Sequence, residues 1–185
     1  MYRLLIAWFL LCFGASALAA DIAGVKLDDS ATVAGQPLVL NGAGIRTRVM
    51  FKVYVASLYL PARTNDAAAV LTKAPRRIQM NLLRTLAPDQ LVDALNDGLK
   101  DNNSDAELAA VRTQTDQLMG IMRSLGEVKE GGVVTLDFAD GATLVGLNGT
   151  TRGTVSGDAF NKALTKIWIG DKPAQADLKK ALLGG

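Results

Sequence analysis

Leu40-Asn41-Gly42-Ala43-Gly44-Ile45-Arg46-Thr47-Arg48-Val49-Met50-Phe51-Lys52-Val53-Tyr54-Val55-Ala56-Ser57-Leu58-Tyr59-Leu60 is the stretch whose reading decides the fold. Gly42 and Gly44 suggest a turn. The residues after them are rich in β-branched and aromatic side chains, with no proline until Pro61. That is the composition of a strand, so the stretch reads as one long strand opened by a glycine turn. Residues two apart on a strand share a face. Val49, Phe51, Val53, Val55, Ser57 and Tyr59 then form an almost wholly apolar side, suited to a core. The other side runs from Arg46, Arg48, Met50 and Lys52 through Tyr54 to Ala56, Leu58 and Leu60. Cations grading into an aliphatic wall would suit a pocket for an amphipathic anion. The same pattern describes the wet face of a half-exposed sheet, and both readings stand.

The chain around this stretch is 185 residues long, 49% hydrophobic and 21% charged, which suits one sizeable core. Its net charge of +2 is spread out, with no basic run longer than two, which argues against nucleic acid as a partner. Met1 to Ala20 has the parts of a secretory signal: Arg3, an apolar run from Leu4 to Phe13, and the small-x-small site Ala17-Leu18-Ala19. The expected division is a signal peptide over residues 1–19 and a single domain over 20–185, exported to the periplasm. The apolar run is too short for a bilayer, which takes about 20 residues, so no stable membrane anchor is expected. Cys12, the one cysteine, lies in that leader, and the chain has no histidine. Thiolate and Ser-His-Asp chemistry are therefore excluded from the mature domain, and neither a metal nor a cofactor is expected.

Flanking elements follow in order. Ile22, Val25 and Leu27 mark short strand positions, and Gln36 to Leu40 a strand leading into the glycine turn. Asn65 or Asp66 can cap a short helix over Ala67 to Lys73. Ile78, Met80 and Leu82 alternate with Arg77, Gln79 and Asn81, a strand over Arg76 to Arg84. Pro88 opens a helix carrying Leu91, Val92, Leu95 and Leu99. Ser104 and Glu107 have capping-box spacing before a helix with Leu108, Val111, Thr115, Leu118, Met119 and Met122 on one stripe. Such a stripe is core by default, although Met119 and Met122 could line an apolar pocket. Asp140-Gly141 and Asn148-Gly149 join three short strands into a meander. A helix with Phe160, Leu164, Ile167 and Trp168 then runs to Gly170, and Asp171-Lys172-Pro173 opens a last helix. Grouped strands with segregated helices give an α+β fold, an antiparallel sheet with helices on one face.

Two stretches carry a resemblance. Asn41-Gly42-Ala43-Gly44-Ile45-Arg46, running into Lys52-Val53-Tyr54-Val55-Ala56-Ser57-Leu58-Tyr59-Leu60, resembles the opening strands of the chalcone isomerase superfamily. Phe160 to Gly170 with Pro173 to Gly184 resembles its closing helices, and the Leu136 to Gly141 hairpin fits between them. The likeness implies an open-faced β-sandwich, a large antiparallel sheet and a helical layer enclosing a cleft. The superfamily holds plant isomerases and non-catalytic members that bind fatty acids. In the isomerases an arginine after the glycine turn holds the substrate phenolate, and Arg46 matches it. The other polar positions of those enzymes fall at Tyr54, near Leu91, Ala94 and Gly98, and near Ile167, so the isomerase set is not retained. The fatty-acid-binding branch pairs that arginine with a tyrosine in a Lys-Val-Tyr context, which Arg46 and Tyr54 match.

Three uses of Arg46 follow. It can clamp, with Tyr54, a small amphipathic carboxylate or phenolate, with Arg48, Lys52, Met119 and Met122 as further pocket candidates. It can be the catalytic group of an isomerase, stabilising a phenolate or enolate. Or it can be structural, buried against an acid such as Asp137. Oligomeric state is left open.

Overall fold

In the computed structural model, which describes residues 20–72 and 74–185, the quoted stretch is two strands and not one. Strand β4 (Gln36–Arg48) and strand β5 (Phe51–Leu60) form an antiparallel hairpin turned by Val49 and Met50, with Arg48 opposite Phe51. Val49 has φ of +59°, the left-handed region, where a β-branched residue is a strong outlier. No local turn chemistry announces this reversal. The paired ladder on either side imposes it. The face assignment fails at the tip accordingly, and Val49 and Phe51, placed on the core side by alternation, are exposed.

The glycine turn is also absent. Gly42 and Gly44 lie inside β4, where the last helix, α6 (Ala176–Leu182), rests on the strand. A Cβ at Gly42 would stand 2.1 Å from the Ala181 carbonyl oxygen, and one at Gly44 would stand 2.8 Å from the Ala181 Cβ. The glycines thus mark close approach of two backbones. Asn41 is the extra residue of a bulge beside them. It is buried and donates from Nδ2 to the Leu182 carbonyl at 2.7 Å, while its Oδ1 accepts from the Thr64 amide at 2.7 Å.

Around this hairpin the sheet is a seven-stranded antiparallel meander in chain order: β3 (Ser30–Val33), β4, β5, β6 (Arg76–Leu82), β7 (Val133–Ala139), β8 (Ala142–Leu147) and β9 (Thr150–Ser156). A separate hairpin, β1 (Ala20–Ile22) with β2 (Val25–Leu27), precedes it. The expected alternation holds along β6, whose burial pattern is strictly periodic. Asp140-Gly141 and Asn148-Gly149 both take positive φ at each residue, as tight hairpin turns require. The sheet curls enough for β3 to touch β6 and β7, so β5 is covered on both faces from Val55 to Leu60. Val55 and Tyr59 join Leu27, Val33 and Leu38 on one side, and Ala56, Leu58 and Leu60 join the helices on the other.

The helical layer consists of α1 (Ala67–Thr72), α2 (Pro88–Asn102), α3 (Asp105–Ala110), α4 (Arg112–Ser124), α5 (Asp158–Ile169) and α6. Asp66 caps α1, accepting from the Ala68 amide. Ser104 and Glu107 form the expected capping box, but the helix behind them breaks at Val111 into α3 and α4. Helix α6 begins later than Pro173, because the connection is held open: the Lys172 amide donates to Asn102 Oδ1, and the Ala174 amide to the Ile167 carbonyl. Central in the layer is α5, which fully buries Phe160 and Leu164 and nearly buries Trp168, each contributing about 1.5–3 kcal/mol. The α+β expectation of a large antiparallel sheet with a helical layer holds. The expected leader with Cys12, and the expected helix end at Lys73, lie outside the described residues.

Gly42 in β4 should be far less replaceable than a glycine on a helix surface. Gly42→Ala should destabilise by about 1–3 kcal/mol. Gly120→Ala, on the open side of α4 with nothing near its Cβ, should stabilise by about 1 kcal/mol. Urea midpoints at unchanged slope read both.

Candidate functional site

A cleft of about 440 Å³ opens between the β4–β5 hairpin, α2 and the α5–α6 connection, within the usual range for small-molecule sites. Leu91, Leu95, Met122, Ile167 and Trp168 give it apolar walls, with Val53 and Met80 from the sheet. Arg46, Arg48, Arg84 and Lys172 bring positive charge to it, and Asp97 and Asp101 of α2 bring negative charge.

Arg46 and Tyr54 are direct cross-strand partners, so they share a face at close range. They meet across a hairpin, and not along one strand as alternation had it. The next pair is Thr47 with Lys52, which leaves Val53 as an extra residue in β5. That bulge shifts the alternation by one. Val53 and Phe51 therefore line the cleft, and Lys52, a pocket candidate on parity, does not.

The Arg46 guanidinium is partly buried and is aimed by its neighbours. Nη1 donates to the Thr47 carbonyl at 2.8 Å and, at 3.4 Å, to Gln175 Oε1. The same Gln175 oxygen accepts from the Thr47 amide at 2.8 Å, which fixes the glutamine. Among the described residues no carboxylate forms an ion pair with Arg46. Asp137, the acid expected to neutralise it, faces Arg77 across the β6–β7 ladder and is bound by it, with Nη2 to Oδ2 at 2.7 Å. The internal Arg46–Asp137 pair is thus not formed, because strand register gives Asp137 another arginine.

Trp168 Nε1 donates to the Tyr54 hydroxyl oxygen at 3.1 Å. An indole can only donate, so Tyr54 accepts there and keeps its own O–H to donate. Burial raises the phenol above its ordinary value of 10, against the opposing effects of the Trp168 hydrogen bond and the Arg46 charge. At neutral pH Tyr54 is therefore a neutral donor beside a guanidinium. Two convergent donors at one end of an apolar cleft can hold an anion head.

Of the remaining candidates, Arg48 and Met122 line the cleft and Met119 does not. Both methionines pack in the main core, and of the two only Met122 also reaches the cleft. Leu91, Ala94, Gly98 and Ile167, the positions where polar groups would stand in an isomerase, all line the cleft. Gly98 is set by packing: its Cβ would stand 2.7 Å from Ile167 Cγ2. Trp168 carries no polar signal in the sequence beyond its indole N–H, which a buried tryptophan must satisfy. Arg84, Asp97, Asp101, Lys172 and Gln175 carry no site signal in the sequence, since contacts between separate elements bring them to the cleft.

A family model described as chalcone isomerase-like matches residues 19–184. No curated protein matches the chain. Among solved structures, a fatty-acid binding protein of Arabidopsis thaliana is similar at a TM-score of 0.67 and 13% identity, covering 86% of this chain and 92% of that one. At that identity the likeness speaks for the fold.

Burial also raises Tyr59, so between pH 10 and the native values the folded chain keeps protons that the unfolded chain loses. The contribution of the two tyrosines to stability should be level below pH 10 and should fall above it. Phenolate absorbance should show both tyrosines ionising late, and Tyr54→Phe should remove one late step and part of the fall.

Proposed function

The chain belongs to the chalcone isomerase-like family, and we propose that this protein is an exported binder of a fatty acid or similar amphipathic anion, without isomerase activity. The observation that carries the reading is the convergence of Arg46 and the Tyr54 O–H on a largely apolar cleft, with no carboxylate among the described residues paired to the guanidinium. A carboxylate head would sit on those two donors, its tail along Leu91, Leu95, Met122 and Ile167.

Magnitudes assign the roles. A hydrogen bond to a charged group contributes about 1.5–3 kcal/mol. Each buried methylene contributes about 0.8 kcal/mol, so a tail of about ten outweighs the head. The tail sets affinity and Arg46 sets orientation. The fatty-acid binding named for the similar Arabidopsis structure supports the same class of ligand.

Catalysis has less to work with. Arg46 can stabilise a developing oxyanion, but Leu91, Ala94, Gly98 and Ile167 offer no side-chain donor or acceptor. With no histidine in the chain, proton transfer would fall to Tyr54, whose raised value makes it a poor base near neutral pH, or to Asp97, Asp101 or Lys172 of the lining. The leader pattern of residues 1–19 supports export.

In a fluorescent fatty-acid titration, Arg46→Ala should weaken binding about tenfold or more, and Tyr54→Phe several-fold. Unchanged affinity in both variants would remove the assignment. Chalcone cyclisation should not be accelerated; turnover lost in Arg46→Ala would replace binding by isomerisation. Mass spectrometry of the periplasmic protein should read a chain beginning at Ala20, and an intact Met1 terminus would refute export.

A further inference from the structure

The tip of the β4–β5 hairpin has a composition that a turn in water does not call for. Val49 and Met50 are 89% and 86% exposed, and Phe51 is 61% exposed. Among the described residues the only other exposed large hydrophobic is Val39, at 38%. Three consecutive apolar side chains thus form a projecting apex. Other two-residue turns of the protein, Ala23-Gly24, Ala34-Gly35, Asp140-Gly141 and Asn148-Gly149, each place glycine in a left-handed position. This one sets Val49 at φ of +59° and has no glycine. It keeps bulky apolar residues at a strained turn, facing solvent, where Asn-Gly or Asp-Gly would serve folding better.

The apex has a cationic collar. Arg48 and Lys52 flank it directly, Arg46 is one pair further down the hairpin, and Arg84 lies with its guanidinium 5.0 Å from the centre of the Phe51 ring. The whole of Leu40 to Leu60 contains no acidic residue. The acids that line the neighbouring cleft, Asp97 and Asp101, belong to α2. A small apolar wedge ringed by arginine and lysine suits the interface of an anionic bilayer, where apolar side chains enter the acyl boundary and cations meet headgroups.

We propose that the Val49-Met50-Phe51 tip docks the protein reversibly on an anionic lipid surface. The occupant is the bilayer itself, chosen by the charge of the collar. Arg48, Val49 and Phe51 also line the cleft, so docking sets the mouth of the cleft against the lipid. That the mouth then exchanges an acyl ligand with the bilayer rests on the binding function proposed above; docking does not. No helix among the described residues is long and apolar enough to cross a membrane.

Met50 and Lys52 lie outside the cleft lining, which separates the two functions. The mature chain would be floated with phosphatidylcholine vesicles, with and without phosphatidylglycerol, at low and high salt. Binding is expected only with phosphatidylglycerol, and salt should weaken it. Met50→Asp and Lys52→Glu should each lower partitioning about tenfold, with fatty-acid affinity in solution and urea midpoint unchanged. Absence of binding to anionic vesicles would overturn the proposal, as would equal binding to both vesicle types. A tip-dependent dimer in sedimentation, without vesicle binding, would overturn it in favour of self-association. Loss of fatty-acid binding in Arg46→Ala bears on the cleft alone, and vesicle docking by a chain that binds no fatty acid would leave the docking proposal standing.

Discussion

Helix α6 lies directly on the backbone of β4, and the cleft depends on that contact. Gly42 and Gly44 remove the side chains that would hold the two apart, and Asn41 bonds the helix end at Leu182. At the other end of the helix, its N-cap residue Gln175 reaches the Thr47 amide and the Arg46 guanidinium. One packing contact therefore seats the closing helix, braces the cleft arginine and sets the wall formed by the α5–α6 connection. Interiors are packed too densely for such a contact to slip by a methyl group without cost.

The protein handles two arginines in different ways. Arg76 is 4% exposed and donates to Thr165 Oγ1 and the Asn161 carbonyl, with its guanidinium 4.4 Å from the Phe138 ring centre. Burial lowers it to about 10, so it is still a cation at neutral pH, and it ties α5 to the sheet. Arg46 is held by a carbonyl and an amide oxygen, which orient it without neutralising it. A charge aimed into a cleft in this way is preorganised for an anion, because little further ordering is needed on binding. Trp168 does the same for Tyr54, occupying the oxygen and leaving the proton available.

Much of the fold was legible because its signals are local. The Asp140-Gly141 and Asn148-Gly149 turns, the alternation of β6 and the Ser104–Glu107 box all act within a few residues. The quoted stretch misled for a related reason. Local composition says strand throughout, and Val49-Met50 gives no turn signal, so the reversal was invisible. The glycines were read as a turn, while their cause is a helix far away in sequence. Arg46 and Tyr54 share a face although the strand between them was misread, since the hairpin closing between positions 48 and 51, with Val53 bulged out of the ladder, pairs them. Lys52 failed because one bulge residue inverts everything beyond it.

By itself the sequence determined most strand and helix segments, the α+β class, the resemblance to a family, and the two residue types facing the cleft. These follow from side-chain period, capping and turn chemistry, which neighbouring residues decide. Tertiary structure alone decided that the decisive stretch folds back on itself, that Asp137 belongs to Arg77 and not to Arg46, and that Trp168 and Gln175 complete the site. Each of those depends on strand register or on contact between elements far apart in the chain, and register and close approach are settled by the packing of the whole molecule.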